Sequence, residues 1–322
     1  MNALLRPIKI GEHPVAKKRY RIPTPAIEQF YSLVQRCIQL SIPGAIVYAR
    51  TRFGKSSAIV YSQWLLAEEH PSLPVLRIRI EHKRFASELA FFSAFLTAAQ
   101  HRATSGRDAT KLRQRLKQRL LEIADGNQSS AILMFLDEAQ HLGATEFEWL
   151  RDIHDELDDE GINLILIFVG QPALHAKKSL FQRDGDEQIV GRFMTEELRF
   201  AGIESPDDCA TCLQGYDHQE FQADSGWPHT RFFYPKAFTA GLRMATEGDV
   251  LWRAFDDEHK RAQQAGALEI PMEYFTRAVH WIFLQGPQFD AADFAFWGCK
   301  PKPSEFSQPF GVDPTVVSPG AI

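Results

Sequence analysis

The chain has 322 residues, enough to bury a substantial core and to hold two domains. A hydrophobic share of 44% and a charged share of 24% exclude the disordered and collagen-like classes, and no apolar run reaches the roughly 20 residues that span a bilayer. The net charge of −5 excludes nucleic-acid binding through overall positive charge, so any such contact must be local. Four scattered cysteines (Cys37, Cys209, Cys212, Cys299) make no disulfide framework, and with no N-terminal apolar stretch of signal-peptide length the expected location is cytoplasmic.

Residues 1–18 are polar and basic and read as an arm. Ala45-Ile46-Val47-Tyr48 is a short apolar run of the kind that forms a buried parallel strand. It feeds a loop, Ala49-Arg50-Thr51-Arg52-Phe53-Gly54-Lys55-Ser56-Ser57, and a helix is expected from Ser56 to about Glu68. A loop that opens a helix presents backbone N–H groups and a positive dipole end to a polyanion. In that setting Lys55 neutralises the β- and γ-phosphates of ATP, the Ser56 hydroxyl ligates Mg²⁺, and Gly54 lets the backbone approach. Ala49 departs from the usual pattern, which opens with glycine; the alternative reading is a basic surface loop before a helix.

A second strand is expected over 74–80. The segment that follows carries Lys83 and Arg84, which could reach the phosphates of duplex DNA. Leu112, Leu116, Leu120 and Ile123 make the apolar stripe of a helix whose other faces carry Lys111, Arg113, Arg115, Lys117 and Arg119. That basic surface could also touch DNA, although a solvated face is the commoner meaning of such a helix.

Ala131–Leu136 reads as a third buried strand delivering Asp137 and Glu138 to the carboxyl edge of the sheet, where ligands of open α/β sheets sit. Asp137 would hold the Mg²⁺ shell with Ser56, and Glu138 would polarise the attacking water as general base. A fourth strand, Asn163–Val169, ends on Gly170-Gln171-Pro172, placing Gln171 at the same edge to orient water or touch the γ-phosphate. Carboxylates opening a helix, and a plain Gly-Pro turn, are the bland alternatives for these two strand ends. Residues 152–160 hold six carboxylates, and a fifth strand is expected over 196–200.

The expected organisation is a nucleotide-binding domain over 19–202, a loop insertion over 203–232, a helical lid over 233–286 and an extended tail over 287–322. Cys209 and Cys212, with His218 and His229, could hold zinc, but the spacing fits no standard finger. Phe306, Pro309 and Phe310 in the tail could dock a partner.

Three segments together, Arg50-Thr-Arg-Phe-Gly-Lys-Ser-Ser-Ala-Ile59, Phe135-Leu-Asp-Glu-Ala-Gln-His141 and Gly170-Gln-Pro-Ala-Leu174, resemble AAA+ ATPases of the TnsC/TniB type, regulators of DNA transposition. Arg19–Thr24 resembles the family's lead-in beside the adenine, and Leu242–Trp252 the turn between lid helices. The resemblance implies an α/β fold: an AAA+ P-loop NTPase with a parallel five-stranded sheet covered by helices and a small C-terminal α-helical lid. It also implies ATP-driven homo-oligomers, rings or filaments, around duplex DNA, with a target selector of the TniQ type and a transposase as partners. A neighbouring subunit in such assemblies supplies an arginine finger, for which Arg192 and then Arg183 are the matching positions. Alternatives are an ExeA-like ATPase associated with secretion, a replication-initiator or helicase-loader type, for which a DNA-binding domain beyond the lid is expected, and a nucleotide-gated scaffold that does not act on DNA.

Overall fold

A computed structural model describes residues 6–263, 265–285 and 290. The chain divides into two compact units, one formed by residues 26–201 and the other by residues 1–25 with 202–322.

In the first unit, α1 (Pro25–Gln39) leads to β1 (Gly44–Tyr48), α2 (Lys55–Glu69) and β2 (Val75–Arg79). Two helices follow, α3 (Glu88–Ala98) and α4 (Ala109–Gly126), then β3 (Ala131–Asp137) and α5 (Ala144–Asp158). β4 (Asn163–Gly170), α6 (Pro172–Asp184), α7 (Glu187–Phe193) and β5 (Glu196–Arg199) complete it. The strands lie in the order β2-β3-β4-β1-β5, and every pair is parallel.

Burial on both faces explains the nearly unbroken apolar runs of β1, β3 and β4. Side chains alternate across the sheet with period 2. Even-numbered residues (Ile46, Ile132, Met134, Leu136, Leu166, Phe168) pack with α3, α4 and α5. Odd-numbered ones (Val47, Leu133, Phe135, Ile165, Ile167, Val169) pack with α1 and α2. On α4 the predicted stripe is buried at Leu112, Leu116 and Leu120, while Ile123 packs at its margin. Each such leucine contributes about 1.5–3 kcal/mol of burial.

The cations of α4 meet the carboxylates of α5. Arg113 donates to Asp152 at 3.0 Å and also to Glu156, and Lys117 donates to Glu160 at 2.9 Å. Two cations of the basic run thus pair with the acidic run, while Lys111 pairs with Asp108, Arg119 with Glu122, and Arg115 and Arg119 bond the carbonyls of Ala103 and Ala99.

The second unit corrects two expectations. Residues 203–232 are not a loop: they hold α8 (Pro206–His218) and α9 (His229–Phe233). Ser205 caps α8 by accepting from the Asp208 N–H, Pro206 starts it, and Cys209, Cys212, Leu213 and Tyr216 form a buried face at i, i+3, i+4 and i+7. Nor is the described part of the expected arm, residues 6–18, simply an arm, because Ile8, Ile10 and Val15 pack into the same core as α8. Their apolar side chains are too widely spaced to show a period. α10 (Pro235–Thr239), α11 (Gly248–Arg261) and α12 (Met272–Gln285) follow, and an antiparallel bridge joins Ile203 to Ile270. The expected lid segment 233–286 holds α10, α11 and α12 among its described residues; of the expected tail only Asp290 is described, and Cys299 and the Phe306–Phe310 segment lie outside the described residues.

Among the described residues, no helix is long and apolar enough to cross a membrane.

Candidate active site at the carboxyl edge of the sheet

Strand order brings the separated motifs together. β4 lies between β3 and β1, so the ends of three neighbouring strands carry Asp137-Glu138, Gly170-Gln171 and the loop from Ala49. Register aligns them, since Asp137 and Val47 are both level with Val169.

The loop leaves β1 with the Ala49 N–H donating to the Gly170 carbonyl at 3.1 Å, so the first residue after the strand still extends the ladder. Two positions bend it into the left-handed region, Arg52 (φ 70°) and Gly54 (φ 100°). Gly54 takes this conformation without a Cβ penalty, and it is the residue that starts α2. Ala49 is not among the positive-φ residues, which accounts physically for an alanine where the usual pattern has glycine.

Lys55 is buried at the first turn of α2, its Nζ donating to the carbonyls of Ala49 and Arg50, both at 2.8 Å. Burial lowers its pKa, while the nearby Glu138 and Asp137 carboxylates pull in the opposite direction. A buried cation at a helix N-terminus is suited to receive a polyphosphate.

Asp137 is 2% exposed. Its Oδ2 accepts from Ser56 Oγ at 2.9 Å and from Arg77 Nη2 at 2.6 Å. Arg77 is a site residue the sequence reading missed. The signal was present: like Asp137 it is odd-numbered, on a strand in register with β3, so both project toward α2. Ser56 and Asp137 offer the oxygen donors that Mg²⁺ prefers, and their mutual approach shows that one small cation could contact both.

Glu138 follows β3 in a left-handed conformation (φ 59°, ψ 35°), strained for a residue with a Cβ. Gln140, in the 3-10 turn Ala139–His141, donates from Nε2 to Glu138 Oε2 at 2.6 Å. Its Oε1 accepts the backbone N–H of Gln171 at 3.0 Å, and Gln171 Nε2 itself lies 3.5 Å from Glu138 Oε2. Gly170 makes room for this arrangement, since a Cβ there would stand 2.7 Å from Gln140 Oε1.

The remaining predicted residues lie apart from this cluster. Lys83 donates to the buried carboxylate of Glu146 at 3.1 Å, and its ammonium is 5.8 Å from the Phe91 ring centre. Arg84 is exposed beside Phe85, which is itself 77% exposed. Arg192 pairs with Asp155, and Arg183 is exposed near the end of α6 beside Asp184. Cys209 and Cys212 belong to the core of the second unit, where burial pushes the Cys209 thiol up to about 12. Among the described residues, no group of three or more His, Cys, Asp or Glu is placed to hold a metal ion.

Residues 44–177 match the family model for the AAA domain. No curated protein matches the chain. Among solved structures, the chain is similar to the Aeropyrum pernix ORC2 protein in its ADPNP–ADP complexes (15% identity, TM-score 0.46, covering 83% of this chain and 71% of that one). It is also similar to the Aeropyrum pernix ORC1 protein in complex with DNA (12% identity, TM-score 0.44, 83% and 69%). A third likeness is to domain III of the Thermotoga maritima replication initiation protein DnaA (12% identity, TM-score 0.37, 87% and 98%). With its five-stranded parallel sheet, its phosphate loop and an AAA-domain match over residues 44–177, the chain has the fold of an AAA+ P-loop NTPase.

Proposed function

We propose that the chain is an ATPase that oligomerises on duplex DNA and regulates transposition, linking a target selector to a transposase. The observation that carries the ATPase part is the meeting of Lys55 and Ser56 with Asp137, Glu138 and Gln171 at one sheet edge. Lys55 and the N-terminus of α2 bind and orient the β- and γ-phosphates. Ser56 and Asp137 would hold Mg²⁺, which would supply charge neutralisation to the phosphates. Glu138 takes a proton from water as the water oxygen bonds to the γ-phosphorus. The bond from that phosphorus to the β–γ bridging oxygen breaks, and ADP and phosphate leave. Gln171 lies beside the same carboxylate and completes the water site.

The transposition part rests on the order and wording of the three motifs and on their resemblance to the TnsC/TniB type. Of the two cations assigned to DNA, Arg84 is presented to solvent, whereas Lys83 is engaged with Glu146. Of the two finger positions, Arg183 is exposed, whereas Arg192 would have to leave Asp155 to reach a neighbour's nucleotide.

Electron microscopy with a slowly hydrolysed ATP analogue, with and without duplex DNA, tests the reading. Rings or filaments threaded by DNA, formed only when both ligands are present, are the expected result. Nucleotide-dependent assembly indifferent to DNA would contradict the transposition role and favour a scaffold or a secretion-associated ATPase.

A further inference from the structure

We infer that Gln140 is a positioning residue for the hydrolytic carboxylate, aligning Glu138 and coupling it to the end of β4; the inference rests on the ATPase reading above. The orientation of the Gln140 amide follows from chemistry. A backbone N–H can only donate, so the Gln140 atom 3.0 Å from the Gln171 nitrogen must be the carbonyl oxygen. Nε2 is thereby turned to Glu138 Oε2, 2.6 Å away, and it lies 3.4 Å from the His141 ring nitrogen Nε2.

One amide thus ties together two strand ends that must act in concert. Its acceptor holds the backbone of Gln171 after β4, and its donor holds the carboxylate after β3. Gln171 Nε2 approaches the same oxygen, so both glutamine amides face Oε2. A carboxylate restrained through one oxygen presents the other in a defined direction, which is what a base needs in order to meet the proton of a water lined up with phosphorus. Two further features support a built arrangement. A Cβ at Gly170 would stand 2.7 Å from Gln140 Oε1 and 3.1 Å from its backbone nitrogen, and Glu138 is held at a strained φ of 59° that its surroundings must enforce. Gln140 touches neither phosphate nor water in this role; it acts through Glu138.

Three variants of the full chain test this with steady-state hydrolysis and direct nucleotide binding. Gln140→Met keeps the volume and removes both hydrogen bonds, while Gln140→Glu keeps an acceptor for Gln171 and replaces the donor by a second carboxylate. Both should lower kcat about 10- to 100-fold, the scale of a misaligned catalytic group, with KM and nucleotide affinity within about twofold of wild type. Adding Gln140→Met to Glu138→Gln should then change the residual rate by less than about twofold, because the group it positions is already gone. Gln140→Met with wild-type kcat overturns the inference. So does a full multiplicative loss in the Glu138→Gln background, which would mean a general structural role. A wild type no faster than Lys55→Ala would overturn the hydrolysis reading itself, and this inference with it.

Discussion

Arg77 and Ser56 both donate to one oxygen of Asp137, at 2.6 and 2.9 Å. A 2%-exposed carboxylate is tolerated because it is paired, here with Arg77. Removing that partner leaves a buried charge held by the Ser56 hydroxyl and, on its other oxygen, by the Glu138 N–H at 3.1 Å. Arg77→Ala should therefore destabilise the protein by about 1–3 kcal/mol, a range that allows for the partly exposed guanidinium. Melting with and without Mg²⁺ and ATP checks this: the deficit should shrink when both are present, since the cation then supplies the missing charge. An equal deficit under both conditions would place the metal elsewhere.

Lys83 and Arg84 are adjacent but should behave differently. Lys83→Ala removes the ion-pair partner of the buried Glu146 carboxylate, leaving it the Gly143 N–H at 2.9 Å, and should cost about 1–3 kcal/mol in a chemical denaturation experiment. Arg84→Ala should leave stability within about 0.5 kcal/mol, lower DNA affinity and flatten its salt dependence. DNA affinity unchanged by Arg84→Ala would move the DNA surface away from this segment.

Ala49→Gly should not accelerate hydrolysis. Alanine sits at this position without a positive φ, so glycine relieves no strain. It only adds backbone freedom to the unfolded chain, a loss of about 0.5–1 kcal/mol. A faster enzyme would show that the loop opening restrains turnover.

The second unit carries an acid-sensitive core. His13 stacks on Phe232 and meets His229 edge-on, with ring centres 4.1 and 5.1 Å apart. Burial, aided by His229, lowers His13 to about 3, and burial lowers His229 to about 4. Both are neutral when folded, whereas the unfolded imidazoles take up protons below about 6.5. Stability contributed by neutral burial is therefore present above pH 6.5 and is lost as pH falls toward 4 and then 3. Each imidazole contributes a slope of about 1.4 kcal/mol per pH unit at most. Denaturant midpoints from pH 7 to pH 4 should fall steeply in wild type and more gently in His13→Phe/His229→Phe. Parallel curves would contradict the assignment.

Much of the first unit was legible in the residues because its signals are local and strong. Continuous apolar runs marked the buried strands, and the loop, the acidic strand end and Gln171 fell at the carboxyl edge by chain order alone. Three things needed the fold. Arg77 becomes visible only once β2 is placed in register with β3, and Gln140 only once β3 and β4 are neighbours. The cations of α4 looked available for DNA until α5 was packed beside them. The second unit read poorly because its core is assembled from segments far apart in the chain, with Val15 and Ile22 meeting Tyr216 and Phe233. No periodicity within one window reports such a contact.

The central claim is that Lys55 binds the phosphates and Glu138 serves their hydrolysis. The most direct test measures ATP affinity and phosphate release side by side for wild type, Lys55→Ala and Glu138→Gln. The account predicts Mg²⁺-dependent turnover in wild type and no detectable nucleotide binding in Lys55→Ala. For Glu138→Gln it predicts near-native affinity with turnover reduced about 100-fold or more. Glu138→Gln hydrolysing at the wild-type rate, or Lys55→Ala binding ATP normally, would contradict it.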